Sequence, residues 1–293
     1  MTLSVVIITY NEEANLGCTL QSVQSLVADG KGEIIVVDSG STDRTVEIAK
    51  SFGAKVFVED WKGYAAQKNS AIDKATGDWI LSLDADEEVD PELLEVLKAR
   101  GDKKWPPIRA SREWCLTMEH SGSETLELLN GEAVGFLVRR RNYFLGRWIS
   151  YGGFWPDPKL RLFRRGSGQF ESRAVHEDVS VEGPVSTLRY GALIHHSYPT
   201  LSDYIEHMNR YASLGAEMVV AKADGKIRFS VINIVLHPLT TFIYNYFFRL
   251  GFLDGREGLL LHLYHAVYVS WKYSKAWELS RERHTKQMSS CVR

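Results

Sequence analysis

Cysteine is scarce in this 293-residue chain: Cys18, Cys115 and Cys291 lie far apart, without the close spacing of a metal cluster. Such a set cannot staple a small secreted domain, and it suits a reducing, cytoplasmic compartment. An excess of one charge is lacking too. Lys and Arg total 35 against 37 Asp and Glu, a formal net charge of −2, far from the basic surplus of a nucleic-acid binder. The N-terminus shows no basic region followed by an apolar run, so no secretory leader is expected. No internal repeat or low-complexity tract occurs. No Gly-x-Gly-x-x-Gly follows the first apolar run and no loop ends in Gly-Lys-Ser/Thr, which speaks against a dinucleotide-binding oxidoreductase and a P-loop enzyme. What is present is ample apolar content, 44%, enough to exclude intrinsic disorder.

The neutral total averages two unlike parts. Residues 1–221 carry 24 basic and 32 acidic side chains, and residues 222–293 carry 11 and 5. An acidic front and a basic, apolar rear imply two different tasks.

The first hundred residues alternate between short β-branched runs and helical patterns. Leu3 to Thr9, Glu33 to Asp38, Lys55 to Val58 and Trp79 to Leu83 read as buried strands. Helices are expected between them: after Asn11, which would cap the first with Glu12 and Glu13 in its opening turn; after Ser41-Thr42-Asp43; and from Tyr64 to Lys74. This tempo implies an α/β fold, a parallel sheet covered on both faces. From about Gly101 the rhythm breaks. Residues 101–132 read as an irregular insert, and Gly135 to Arg139, Lys159 to Phe163 and Val185 to His195 as strands extending a mixed sheet. Leu201 to Lys222 is expected to be helical. Three segments result, 1–100, 101–200 and a helical region at 201–293 that is expected to associate with a membrane or to dimerise.

Phe229 to Phe248 holds twenty residues without a charge, thirteen of them apolar, between Arg228 and Arg249. That length barely reaches a membrane span, and Asn233, His237, Pro238 and Asn245 interrupt it. Helices lying in a membrane interface fit the aromatic content and flanking cations. The other readings are a helical pair packed on the catalytic domain or on a second subunit.

Chemistry-bearing residues cluster where strands end. Asp84-Ala85-Asp86 follows the fourth strand, and ligands of open α/β sheets sit beyond the carboxyl ends of strands. Two neighbouring carboxylates there call for a cation, and hard oxygen donors favour Mg²⁺ or Mn²⁺ bridging a diphosphate. Alternatively, the acidic run only caps the helix starting near Asp90-Pro91. Asp38 closes the second strand ahead of a Ser39-Gly40-Ser41 turn; Thr9, Tyr10 and Glu12 lie at the end of the first. Tyr10 offers a ring for stacking a base. Lys68 is either a point charge for a phosphate or an exposed helix lysine. Further on, His195 is a candidate metal ligand or a hydrogen-bonded structural histidine. Strand alternation puts Arg161 and Arg165 on one face and Arg164 on the other; Arg161 would meet donor phosphates or an anionic acceptor, unless it is ordinary surface charge. Trp148 and Trp155 flank Gly152-Gly153 as a sugar platform or as packing.

VVIITYNEEANL, EIIVVDSGSTDRTVEIA, KGYAAQKNSAI and GDWILSLDADEEV occur in this order, and together they resemble inverting family 2 glycosyltransferases of GT-A fold. FLGRWISYGGFWPDPKLRLFRRG, RAVHEDV and LIHHSY are similar to the bacterial branch acting on lipopolysaccharide inner core, which includes β-1,4-glucosyltransferases. The insert at 101–132 is longer than that branch leads one to expect. The resemblance implies a Rossmann-like GT-A domain, its donor-binding half at 1–100 and its acceptor and catalytic half at 101–200, followed by the helical extension, and a UDP-sugar donor, with UDP-glucose first. It places Asp38 at the uracil or ribose, Tyr10 by the base, Lys68 facing the nucleotide, Asp84 by ribose and metal, and Asp86 on the metal with His195. Inversion needs a carboxylate base on the acceptor side. The family's x-Glu-Asp pattern favours Asp178 and the narrower branch's Val-His-Glu favours Glu177, which is preferred here. Implied partners are a lipid-linked saccharide acceptor and the cytoplasmic face of the inner membrane, with homodimerisation open. The alternatives are transfer to a polyprenyl phosphate and, in another class, a sugar-nucleotide-binding membrane scaffold.

Overall fold

The computed structural model describes residues 2–99, 133–171, 178–223 and 227–290. The expected insert at 101–132 and the preferred base Glu177 lie outside the described residues. The chain forms two compact units, one of residues 1–140, 158–173 and 177–195, the other of 141–157, 174–176 and 196–293.

The first unit is built on a seven-stranded mixed sheet. Its parallel part comprises β1 (Leu3–Thr9), β2 (Gly32–Asp38), β3 (Lys55–Val58) and β4 (Trp79–Leu83). After β4 come β5 (Glu87–Val89), β6 (Gly135–Val138), β7 (Arg140–Phe144), β8 (Arg147–Trp148), β9 (Lys159–Arg164), β10 (Gly168–Phe170), β11 (Val179–Val181), β12 (Val185–Thr187) and β13 (Leu193–Tyr198). The sheet order is β12-β6-β9-β4-β1-β2-β3, with β9 antiparallel to both β4 and β6. β10 and β11 form a separate antiparallel pair.

Alternation along the central strands explains the two-sided core. Leu3, Val5 and Ile7 of β1, Ile34 and Val36 of β2, and Leu81 and Leu83 of β4 face one side. They meet α1 (Leu16–Val27), α2 (Thr45–Ser51) and α4 (Pro91–Lys98) through Leu16, Leu20, Val23, Ala49 and Leu93. Val6, Ile35, Val37 and Ile80 face the other side, where α3 (Tyr64–Asp73) supplies Ala71. Each fully buried Leu, Ile or Val contributes about 1.5–3 kcal/mol relative to exposure, so this sheet is the unit's main source of stability. Strand order reverses between β1 and β4, which opens a crevice beyond their carboxyl ends.

One expectation needs correction. The stretch from Val185 to His195 is not a single strand: it divides into β12 and β13, with Gly191 at φ 74 between them. A side chain at Gly191 would collide with the Leu93 backbone at 2.2 Å, so the break is enforced by packing as well as by the left-handed turn.

In the second unit, β7 turns into β8 through Leu145 and Gly146, both at positive φ (51° and 79°), the backbone of a tight right-twisting hairpin. α5 (Leu201–Lys222) opens with a capping box between Thr200 and Asp203. It packs along α7 (Gly255–Ser290) through small residues: Ala216 and Ala276 are fully buried, and Gly215 leaves room for the Lys272 stem. α6 (His237–Ile243) lies between two π-helical turns, Ile232–Leu236 and Tyr244–Phe248. Together they run antiparallel to α7: Ser270 Oγ donates to the Ile234 carbonyl at 2.8 Å, and Tyr246 faces His262. Among the described residues no helix is long and apolar enough to cross a membrane.

Candidate active site at the carboxyl edge of the first unit

Parallel pairing of β1 with β2 sets Thr9 opposite Asp38. Asp38 is fully buried, and its two oxygens accept from Thr9 Oγ1, Gly40 N, Ser41 N and Ser41 Oγ. A buried carboxylate needs this degree of satisfaction. Here it shapes the loop after β2, where Gly40 stands at φ 85. The loop after β1 is tied to it. Asn11 N donates to Ser41 Oγ at 2.8 Å, Asn11 Oδ1 accepts from Thr42 N at 2.9 Å, and Glu12 N donates to Thr45 Oγ1 at 2.7 Å.

Asn11 is therefore a lace between two loops rather than the cap of α1. Its φ is 55°, the helix begins only at Leu16 after Asn15, and no acid occupies the first turn. Tyr10, next to it, is 59% exposed, an unusual state for a large aromatic ring at a sheet edge.

The residues after β4 form a tight turn in which Glu87 N donates to the Asp84 carbonyl at 3.1 Å. Thr19 of α1 anchors it by donating to the Ala85 carbonyl at 2.7 Å. The turn presents Asp84 and Asp86, each with more than a quarter of its side chain exposed. Lys68 Nζ lies 2.7 Å from Asp84 Oδ1, and Arg161 of β9 grips Asp84 Oδ2. Burial alone would raise the Asp84 carboxyl, but Arg161 and Lys68 outweigh it and hold it well below the usual range. Lys68 is nearly buried and sits over the Phe170 ring, so it is not an exposed helix lysine. Arg161 is likewise buried, with Asp84 and Glu87 as partners, and is not surface charge.

Antiparallel pairing of β5 with β13 sets His195 opposite Glu87 and so beside Asp86. His195 Nε2 and Asp86 Oδ2 are 3.3 Å apart. Burial is the largest influence on the Asp86 carboxyl and raises it, but His195 and a backbone hydrogen bond together outweigh burial and the Asp84 charge, so the net shift is downward. Glu12 completes the acidic rim: burial chiefly, then the charges of Asp86, Asp43 and Asp84, raise its carboxyl against a lowering hydrogen bond from Asn15.

Glu87 is the residue that sequence reading missed. It is fully buried, accepts from Arg161 at 2.7 Å, lies 3.3 Å from Arg140, and takes the Asp84 amide proton at 3.0 Å. Its partners Arg140 and Arg161 stand 53 and 74 residues away, so no local motif reveals it. The cue available in sequence was a third acid immediately after the Asp-x-Asp pair.

Asp178 is exposed, directly before β11, where its carbonyl accepts from Glu171 N at 3.1 Å. The pairing of Phe170 with Val179 puts this hairpin end next to Lys68, whose ammonium rests over Phe170. Asn69 fixes the same strand, exchanging hydrogen bonds of 2.8 and 2.9 Å with the Phe170 backbone. Trp155 belongs to the second unit. Its ring meets Trp148 edge-on at 5.4 Å, with the Arg141 guanidinium over both. That unit also holds a cleft of about 280 Å³ lined by Tyr143, His196 and Tyr198.

One edge thus gathers Thr9, Glu12, Asp38, Lys68, Asp84, Asp86, His195 and Arg161. Asp86 and His195 supply a hard oxygen and an imidazole nitrogen side by side, a donor pair that suits a divalent cation. Among the described residues no group of three such side chains assembles, so further donors would have to come from a bound phosphate or water.

Comparison with known proteins gives the family. Residues 4–108 match the model of glycosyl transferase family 2. The chain is 30% identical over 284 residues to the lipopolysaccharide core biosynthesis glycosyltransferase LpsC of Rhizobium meliloti, covering 95% of this chain and 93% of that one. It is 29% identical to an uncharacterized glycosyltransferase of Rickettsia typhi, covering 95% and 87%. A solved structure of TarS residues 1–349 from S. aureus in complex with UDP-GlcNAc aligns over 96% of this chain and 92% of that one, at 17% identity and a TM-score of 0.41. The chain is a glycosyltransferase of family 2, with the GT-A fold.

Proposed function

We propose that the enzyme moves a hexose from a UDP-sugar, UDP-glucose in the first instance, to a saccharide hydroxyl of lipopolysaccharide inner core, with inversion at the anomeric carbon. The observation that carries this reading is the convergence of Asp84, Asp86 and His195 with Lys68 beyond the carboxyl ends of β1, β2 and β4. The similarity to LpsC over nearly the whole chain supports the acceptor class.

Tyr10, exposed beside the laced loops, stacks on the base; Thr9, Asp38 and Gly40 shape the loop that receives uridine. Lys68 and Arg161 hold Asp84 ionised and bring positive charge to the site of the diphosphate. Asp86 and His195 would hold a divalent metal, Mg²⁺ or Mn²⁺. When bound, such an ion offsets negative charge on the leaving diphosphate. A carboxylate of the x-Glu-Asp segment, Glu177 with Asp178 as runner-up, takes the acceptor hydroxyl proton. The acceptor oxygen bonds to the anomeric carbon as the bond to diphosphate breaks, and UDP leaves. Trp155 contributes to acceptor contact. The enzyme works at the cytoplasmic face of the inner membrane, where a lipid-linked saccharide is accessible.

The experiment is a panel of UDP-sugars offered with delipidated core oligosaccharide or with polyprenyl phosphate, UDP release being measured. Release that depends on the oligosaccharide supports the reading. Release only with polyprenyl phosphate replaces the acceptor, and no acceptor-dependent release from any UDP-sugar refutes it. Glu177→Gln should bind donor and lose transfer; if Asp178→Asn alone is inactive, the base is Asp178.

A further inference from the structure

The helical segment 232–248 is amphipathic the wrong way round for a soluble protein. Ile232, Val235, Leu236, Leu239, Ile243 and Phe247 recur at i, i+3, i+4, i+7, i+11 and i+15, a single stripe, and every one is exposed. Its opposite side, through the Ile234 carbonyl, His237 and the buried Pro238, is the side that meets α7. Further exposed apolar side chains lie on the following turn and on α7. Phe248 is 74% exposed, and Phe252, Leu259 and Leu263 add to it. The exposed apolar area is on the order of 1,000 Å², against a few hundred Å² in one patch of an ordinary monomer.

We infer that this surface lies in the plane of an anionic lipid leaflet, with the apolar stripe among the acyl chains and arginines at headgroup level. Charge selects this occupant. Residues 227–271 carry Arg228, Arg249 and Arg256, all exposed. Of the two acids in that span, Asp254 is buried, accepting from Ser150 N and Tyr151 N, and Glu257 lies 4.0 Å from Arg147. Exposed Glu278 and Glu282 lie near the Arg228 end, which packs on Ser280, so the cation excess is greatest around Arg249 and Arg256; lipid phosphates would meet it there, whereas a second copy docked on the same face would bring further arginines against it. Length argues against crossing: the stripe from Ile232 to Phe247 rises only about 22 Å, short of the roughly 30 Å hydrocarbon core. The position of Arg249, between Phe248 and Leu250 with its guanidinium packed against Gly153, suits a cation at the phosphate level with apolar neighbours below it.

This surface gives the proposed lipid-linked acceptor a reason to meet the enzyme, and rests on that reading only for its purpose. The test is co-sedimentation of the full chain with phosphatidylglycerol-containing and pure phosphatidylcholine vesicles, with sedimentation velocity in lipid-free buffer. The variant Ile232→Ser/Phe247→Ser/Phe248→Ser should bind both vesicle types at least about tenfold more weakly, yet keep transfer to delipidated oligosaccharide. Arg228→Gln/Arg256→Gln should weaken binding to anionic vesicles alone, by about tenfold or more. Wild-type protein that ignores anionic vesicles overturns the inference. So does undiminished binding by the serine variant, or a lipid-free dimer that the serine variant makes monomeric. Intact vesicle binding with no transfer from any sugar nucleotide would instead fell the functional reading and leave this surface standing.

Discussion

The two units treat their exceptional side chains in opposite ways. In the first, the unusual residues are polar and buried: Asp38, Lys68, Glu87 and Arg161 are each less than a tenth exposed, and each has partners. In the second, most are apolar and exposed, from Ile232 to Leu263, with Asp254 and His262 as buried polar exceptions. Burying charge requires a partner to offset desolvation, and exposing apolar surface requires a surrounding other than water. Both departures cost stability, and both mark surfaces shaped for something outside the chain. On the proposed readings, that something is a sugar nucleotide for the first unit and a lipid leaflet for the second.

The sharpest way to break the comparison is at Asp86. Asp86→Ala should lower transfer by about 10³-fold or more, since several kcal/mol of leaving-group stabilisation is at stake, while circular dichroism and vesicle binding stay unchanged. Chelator treatment should mimic it, and activity undiminished by chelation would remove the metal role. Next comes Glu87. Glu87→Ala removes the fully buried carboxylate that faces Arg161 and Arg140 and should lower unfolding free energy by about 3–5 kcal/mol in denaturant titration. A change below about 1 kcal/mol would mean the buried network is not holding the edge.

In the second unit, His262 is 1% exposed, and neither ring nitrogen has a hydrogen-bond partner among the described residues. Burial first, then His265 and Arg249, push it down to about 4 from an ordinary 6.5. The fold thus favours neutral imidazole. Its contribution is fully present above pH 6.5 and is lost as pH falls toward 4, in all about 3 kcal/mol. His262→Phe should flatten the fall in melting temperature across that window, and an identical pH profile would refute the assignment. The smallest effect belongs to Asp254→Ala, which orphans the Ser150 and Tyr151 amides for about 1–3 kcal/mol and should leave UDP-sugar binding untouched.

Much of the carboxyl edge of the sheet was legible because it is local. Strands of four to seven β-branched residues, Asp38 at a strand end and the Asp84-Ala85-Asp86 turn are all written within short windows. The pairing of His195 with Asp86 was reachable through family resemblance, and the β5–β13 ladder accounts for it physically. Glu87 was not legible, because its meaning lies in arginines contributed by β7 and β9. Asn11 misled because Asn followed by two Glu residues is a good helix start, and nothing local says that the chain instead takes φ 55 and ties to Ser41 and Thr42. The stripe from Ile232 to Phe247 shows a further limit. Helical periodicity identifies an apolar face but not which way it points, so a membrane-facing stripe and a core-facing stripe read alike until the packing on α7 is known.

The central claim is inverting transfer by the first unit, and the anomeric configuration of the product tests it most directly. With UDP-glucose, whose sugar is α-linked to the diphosphate, and core oligosaccharide as acceptor, proton NMR of the purified product should show a β-glycosidic linkage, formed by wild type and not by Asp86→Ala. An α-linked product, or equal product from Asp86→Ala, would contradict the account.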